Sequence, residues 1–66
     1  MIKIETEYIT LQQLMKITDV ISSGGQAKFM VKELDITVNG ESENRRGRKL
    51  YPGDKIIIEG TEYTIS

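Results

Sequence analysis

Ser23-Gly24-Gly25-Gln26-Ala27-Lys28, Ile36-Thr37-Val38-Asn39-Gly40 and Tyr51-Pro52-Gly53-Asp54 follow one another through the middle of the chain. In that order they spell a helix start, a hairpin turn and a second turn. Ser23, with Gln26 three residues on, has the spacing of a capping box. Behind it Ala27, Met30, Val31 and Leu34 fall at i, i+3, i+4 and i+7, the stripe of a helix with one buried face. Ile36 and Val38 alternate with Asp35 and Thr37 as in a half-buried strand. Asn39-Gly40 then supplies the two positive-φ positions of a type I′ hairpin turn. A short return strand is expected over 41–43. Pro52-Gly53 suits the central pair of a type II turn. A strand through Ile56-Ile57-Ile58, a turn at Gly60-Thr61 and a last strand over 62–65 complete the C-terminal hairpin, residues 55–65.

On the N-terminal side, Ile2 and Ile4 alternate with Lys3 and Glu5, which predicts a short strand over 2–5. Thr10 and Gln13 form another capping-box pair, and Ile9 with Leu14 has the spacing of a hydrophobic staple. A first helix from Leu11 to about Ile17 follows, burying Leu11, Leu14 and Met15, with Asp19 at its exit. Val20 and Ile21 are core contacts in the link to the second helix. These elements predict an α+β domain, two helices packed on a small antiparallel sheet.

Sixty-six residues make one domain with a small core. The chain has no cysteine and no histidine, so neither a disulfide nor a zinc ribbon stabilises it. The commonest general base is missing too. No stretch nears the roughly 20 apolar residues of a membrane span, and a soluble, cytoplasmic monomer is the default expectation.

The formal net charge is −1, yet four of the nine cations crowd into residues 45–49. Screening over about 8–10 Å lets such a cluster act apart from the net charge. Arg45, Arg46, Arg48 and Lys49 suit phosphate oxygens, arginine forks taking two at once, and Gly47 permits a tight backbone turn among them. The bland alternative is a solvated loop balanced by Glu41 and Glu43. Gly24 and Gly25 open a helix whose free N–H groups favour anions, and Lys28 and Lys32 extend a positive ridge from that end. Phe29 lies near these lysines, either as a base-stacking ring or as a core side chain. Tyr8, Tyr51 and Tyr63 read as structural, Tyr51 being the one that borders the basic segment. The carboxylate pairs Glu41/Glu43 and Glu33/Asp35 read as surface residues, and no nucleophile–base arrangement supports catalysis. No cofactor is called for.

Residues 10–59 resemble the S4 domain, an RNA-binding fold of two helices followed by a small bent sheet. Ser23, Ala27 and Lys28 match its helix opening, Ile36 to Gly40 its hairpin, and Pro52-Gly53-Asp54 with Ile56 its later turn. The chain is similar to the small stand-alone S4-like proteins of bacteria, which share the Gly-Gly helix start and the Asn-Arg-Arg-Gly-Arg-Lys-type segment. The resemblance implies binding of structured, ribosomal RNA, with a part in ribosome assembly. It carries Lys28 and Lys32 over as a backbone-contacting face, joined by Arg45, Arg46, Arg48 and Lys49. Gly24 stands where the family usually has arginine, and Glu33 puts an acid near that face. A protein-interaction adaptor using the same arginines with Phe29 as anchor is the rival expectation.

Overall fold

The computed structural model describes residues 1–66. Strand β1 (Ile9–Thr10) leads directly into helix α1 (Leu11–Ile17), followed by helix α2 (Gly24–Glu33). Strands β2 (Ile36–Val38), β3 (Glu41–Ser42), β4 (Lys49–Leu50), β5 (Lys55–Ile58) and β6 (Thr61–Thr64) come after. Four of them form an antiparallel sheet in the order β3-β2-β5-β6, while β1 and β4 form a separate antiparallel ribbon. No helix is long and apolar enough to cross a membrane.

The first capping box forms as the sequence predicts. Gln13 N–H donates to Thr10 Oγ1 at 3.2 Å, and Thr10 N–H donates back to Gln13 Oε1 at 2.8 Å. Helix α1 ends at Thr18, whose N–H and hydroxyl both donate to the Leu14 carbonyl. Leu11, Leu14 and Met15 are fully buried. The second box does not form. Ser23 makes no side-chain cap bond, and Gln26 Oε1 instead accepts from Ser22 N–H at 2.6 Å and Ser22 Oγ at 2.9 Å.

Ala27 and Val31 of α2 join Leu11, Leu14, Met15 and the inward side chains Ile36, Val38, Ile56 and Ile58 in one core. Met30 and Leu34 pack on its margin. Asn39 and Gly40 adopt φ of +53° and +86°, as the type I′ turn requires. Strand β3 ends at Ser42, one residue short of the expected strand, although Glu43 N–H still donates to the Ile36 carbonyl.

Three further features differ from expectation. The β5–β6 turn is centred on Glu59-Gly60, with φ of +48° and +85°, and Thr61 pairs with Ile58. Glu59 is drawn into the turn by a double tie: its N–H donates to the Asp35 carbonyl, and its carboxylate accepts from Asp35 N–H at 2.7 Å. The predicted strand at 2–5 reduces to one parallel bridge, Ile2 with Ile65. Its hydrogen bonds use only Thr64, Ile2, Ile4 and Ser66, after which residues 5–7 bend away. Gly47 lies outside the left-handed region, so the basic segment turns without needing glycine's special freedom.

Candidate nucleic-acid interface

The basic segment is tied down from three directions. The β1–β4 ribbon pairs Ile9 with Leu50 and Thr10 with Lys49. Just beyond it, Leu11 N–H donates to the Arg48 carbonyl and Gln12 N–H to the Arg46 carbonyl, both at 2.9 Å. Helix N-termini leave their first N–H groups without intrahelical partners; here the basic segment's own carbonyls take two of them. Arg48 N–H donates to the Arg45 carbonyl at 3.2 Å and closes the turn over Arg46-Gly47.

The third tie is Glu43. Its place in a short hairpin predicts a surface residue, but it is only 7% exposed. The two-residue Asn39-Gly40 turn explains why. With Val38 opposite Glu41 and Thr37 opposite Ser42, Glu43 falls opposite Ile36, and its N–H donates to the Ile36 carbonyl at 2.9 Å. Ile36 faces the core, so its cross-strand neighbour turns the same way. The buried carboxylate is then fully engaged. Arg45 donates from Nε at 3.0 Å, Nη2 at 3.3 Å and its backbone N–H at 3.1 Å, and Arg48 Nη1 donates at 2.8 Å. The side-chain bond from Arg45 is the main cause that lowers the Glu43 pKa to about 2, against the opposing push of burial; the Arg45 N–H and Arg48 add to it. Arg45 is raised in return.

Only Arg45 and Arg48 form salt bridges, both to Glu43. Lys28, Lys32, Arg46 and Lys49 therefore carry no ion pair. Helix α2 and the basic segment face each other across a shallow groove lined by Lys28, Val31, Lys32, Asn44, Arg45, Arg46 and Gly47. Arg48 and Lys49 lie on the other side of the segment, around a second concavity shared with Arg45, Gly47, Tyr51 and Asp54. Gly24, Gly25 and Phe29 line neither. A β-carbon at Gly24 would come 2.7 Å from Gln12 Nε2, the free end of a flexible side chain that would have to shift to admit it. A β-carbon at Gly25 would make only an ordinary contact, 3.9 Å from Ser23 Oγ. Phe29 is 67% exposed, which sets aside the core reading of that ring.

Glu43 and Tyr8 were not among the candidate residues of the sequence. The Asn-Gly turn register points to the first. The second becomes visible only once β1 is seen to pair with β4, since Tyr8 and Tyr51 then lie side by side with ring centroids 5.7 Å apart.

Two helices on a small antiparallel sheet, with unpaired cations on two facing elements, define a compact α+β binding module suited to a polyanion. Residues 2–66 match the S4 domain family, and the chain belongs to it. It is also similar to a Bacillus subtilis (strain 168) protein described as "Probable ribosome maturation protein RlbA". The two are 58% identical over 59 residues, covering 89% of this chain and 83% of that protein. No solved structure matches the chain. The family resemblance seen in the sequence thus holds over nearly the whole length.

Proposed function

We propose that this S4 domain is a non-catalytic factor in ribosome maturation that docks on folded ribosomal RNA through the groove between α2 and the basic segment. The observation that carries the reading is the placement of Lys28, Lys32 and Arg46, none of them ion-paired, with Arg45 around one groove. Cations spaced across a groove match the sugar-phosphate backbone of a folded RNA, whose shape rather than base edges is then read. The description of the Bacillus relative supports the ribosomal setting. Glu43, the one buried carboxylate, is committed to two arginines, with its pKa held at about 2, so near neutral pH it holds no proton to give and is a poor base.

A titration of labelled ribosomal RNA hairpins at two salt concentrations tests this. Affinity should fall steeply as salt rises, because each phosphate contact releases counterions. A folded protein that binds no such RNA even at about 50 mM salt, where phosphate contacts are strong, would overturn the reading. The exposure of Phe29 favours one second reading, a docking contact with a ribosomal protein in which that ring is the anchor. Such a contact would depend far less on salt.

A further inference from the structure

We propose that the outward face of the β1–β4 ribbon is a stacking platform for one unpaired RNA base, with Tyr51 as the stacking ring, Tyr8 backing it, and Lys49 and Arg48 holding the adjoining phosphate. The inference rests on the RNA-binding reading above and assigns a second subsite to it.

The ribbon's register sets up this face. Ile9 opposes Leu50 and both are buried, so alternation turns the flanking Tyr8, Thr10, Lys49 and Tyr51 outward. Tyr8 and Tyr51 are 37% and 42% exposed, and their rings are tilted by 48° at 5.7 Å between centroids. Lys49 Nζ sits 5.0 Å from the Tyr8 centroid, a cation–π contact that occupies that ring. Tyr51 lines the concavity shared with Arg45, Arg48 and Lys49.

Charge selects the occupant. Three cations surround this concavity: Lys49 carries no ion pair, Arg45 and Arg48 share Glu43, and the one lining acid, Asp54, turns its oxygens to Tyr51 N–H at 2.8 Å and Asn39 Nδ2 at 3.1 Å. An apolar protein anchor would gain nothing from three cations. A nucleotide brings both a π-face for Tyr51 and a phosphate for Lys49 and Arg48. The platform also adjoins the groove through Arg45 and Gly47, which line both concavities. A base flipped from a duplex held in the groove is therefore the fitting ligand, with its backbone crossing the basic segment.

The test uses two short RNA duplexes, one fully paired and one carrying a single 2-aminopurine bulge, titrated with the intact protein. The bulged RNA should bind more tightly, and 2-aminopurine fluorescence should change on binding as the base stacks. Tyr51→Leu should lower the bulged-to-paired affinity ratio by about tenfold, within the range that stacking one base supplies, and Tyr51→Phe should restore it. An abasic bulge probes the same step with the native protein, so the result does not depend on the leucine variant folding. Equal binding of the bulged, abasic and paired duplexes would overturn the platform while leaving the RNA reading intact. Failure to bind any of them would overturn the RNA reading itself. A ratio unmoved by Tyr51→Leu, with capture of a ribosomal protein lost instead, would make the face a protein contact and reject the base.

Discussion

Arg45 and Arg48 meet one carboxylate, and what Glu43 does to them follows from its burial. A free arginine side chain carries about 2 kcal/mol of rotamer entropy that a phosphate contact must restrict. Arg45, its side chain held at Nε and Nη2 by Glu43 while 71% exposed, has less freedom left to lose. The same carboxylate offsets part of its charge, so Glu43 exchanges bulk attraction for position. Glu43→Gln should destabilise the fold by about 1.5–3 kcal/mol, the usual worth of a hydrogen bond to a charged group. Urea unfolding at neutral pH measures it. The acid sensitivity should change as well. With a folded pKa of about 2 against an ordinary value of 4.5, the carboxylate's stabilisation is complete above pH 4.5 and is lost as pH falls through about 2. In Glu43→Gln that part of the acid limb should flatten. A limb equally steep in both proteins would assign acid sensitivity to other carboxylates.

At the scale of elements, the sequence was most legible where a turn or cap has chemistry of its own. Thr10/Gln13, Asn39-Gly40 and Pro52-Gly53 each stand where their residue types predict, Gly53 with φ of +98° and Asp54 N–H donating to the Tyr51 carbonyl. The helix stripe Ala27–Leu34 was legible for the same kind of reason. What escaped was pairing between short, distant segments. Strands β1 and β4 have two residues each, too few to show a period, and only their pairing brings Tyr8 to Tyr51 and the Arg46 and Arg48 carbonyls to α1. The cations of the candidate site were therefore visible as composition, while their division between two concavities was not. The two glycines of α2 also separate at this scale. Gly24 has a neighbour that a β-carbon would displace, whereas the nearest atom to a β-carbon at Gly25 is Ser23 Oγ at 3.9 Å, an ordinary contact. Gly25→Ala should therefore stabilise the protein by about 0.4–1 kcal/mol through the unfolded chain's lost freedom. A melting curve reads it. A lower melting temperature would mean that Gly25 is constrained by something other than space.

Over the whole molecule, ten acids outnumber nine cations, and the arrangement matters more than the total. The protein measures 26 × 23 × 17 Å, longer in every direction than the screening distance of about 8–10 Å near physiological salt. A phosphate in the α2 groove thus meets Lys28, Lys32, Arg45 and Arg46, with no acid among the lining residues. Glu43 offsets part of the Arg45 charge from 3.0 Å away, while acids more than about 10 Å from the groove are largely screened. If that local field provides RNA affinity, removing the three unpaired groove cations must change how affinity depends on salt as well as its size. Lys28→Ala/Lys32→Ala/Arg46→Ala should flatten the log–log salt slope by roughly two to three units, since each lost phosphate contact removes about 0.7–0.9. Lys55→Ala, an exposed lysine of β5 outside both concavities, should leave the slope nearly unchanged. Titrating the native protein and both variants against one ribosomal RNA hairpin over several salt concentrations makes the comparison. A triple variant with native fold and native slope would remove the groove from RNA binding and leave the Arg48–Lys49 side to carry the phosphate contacts.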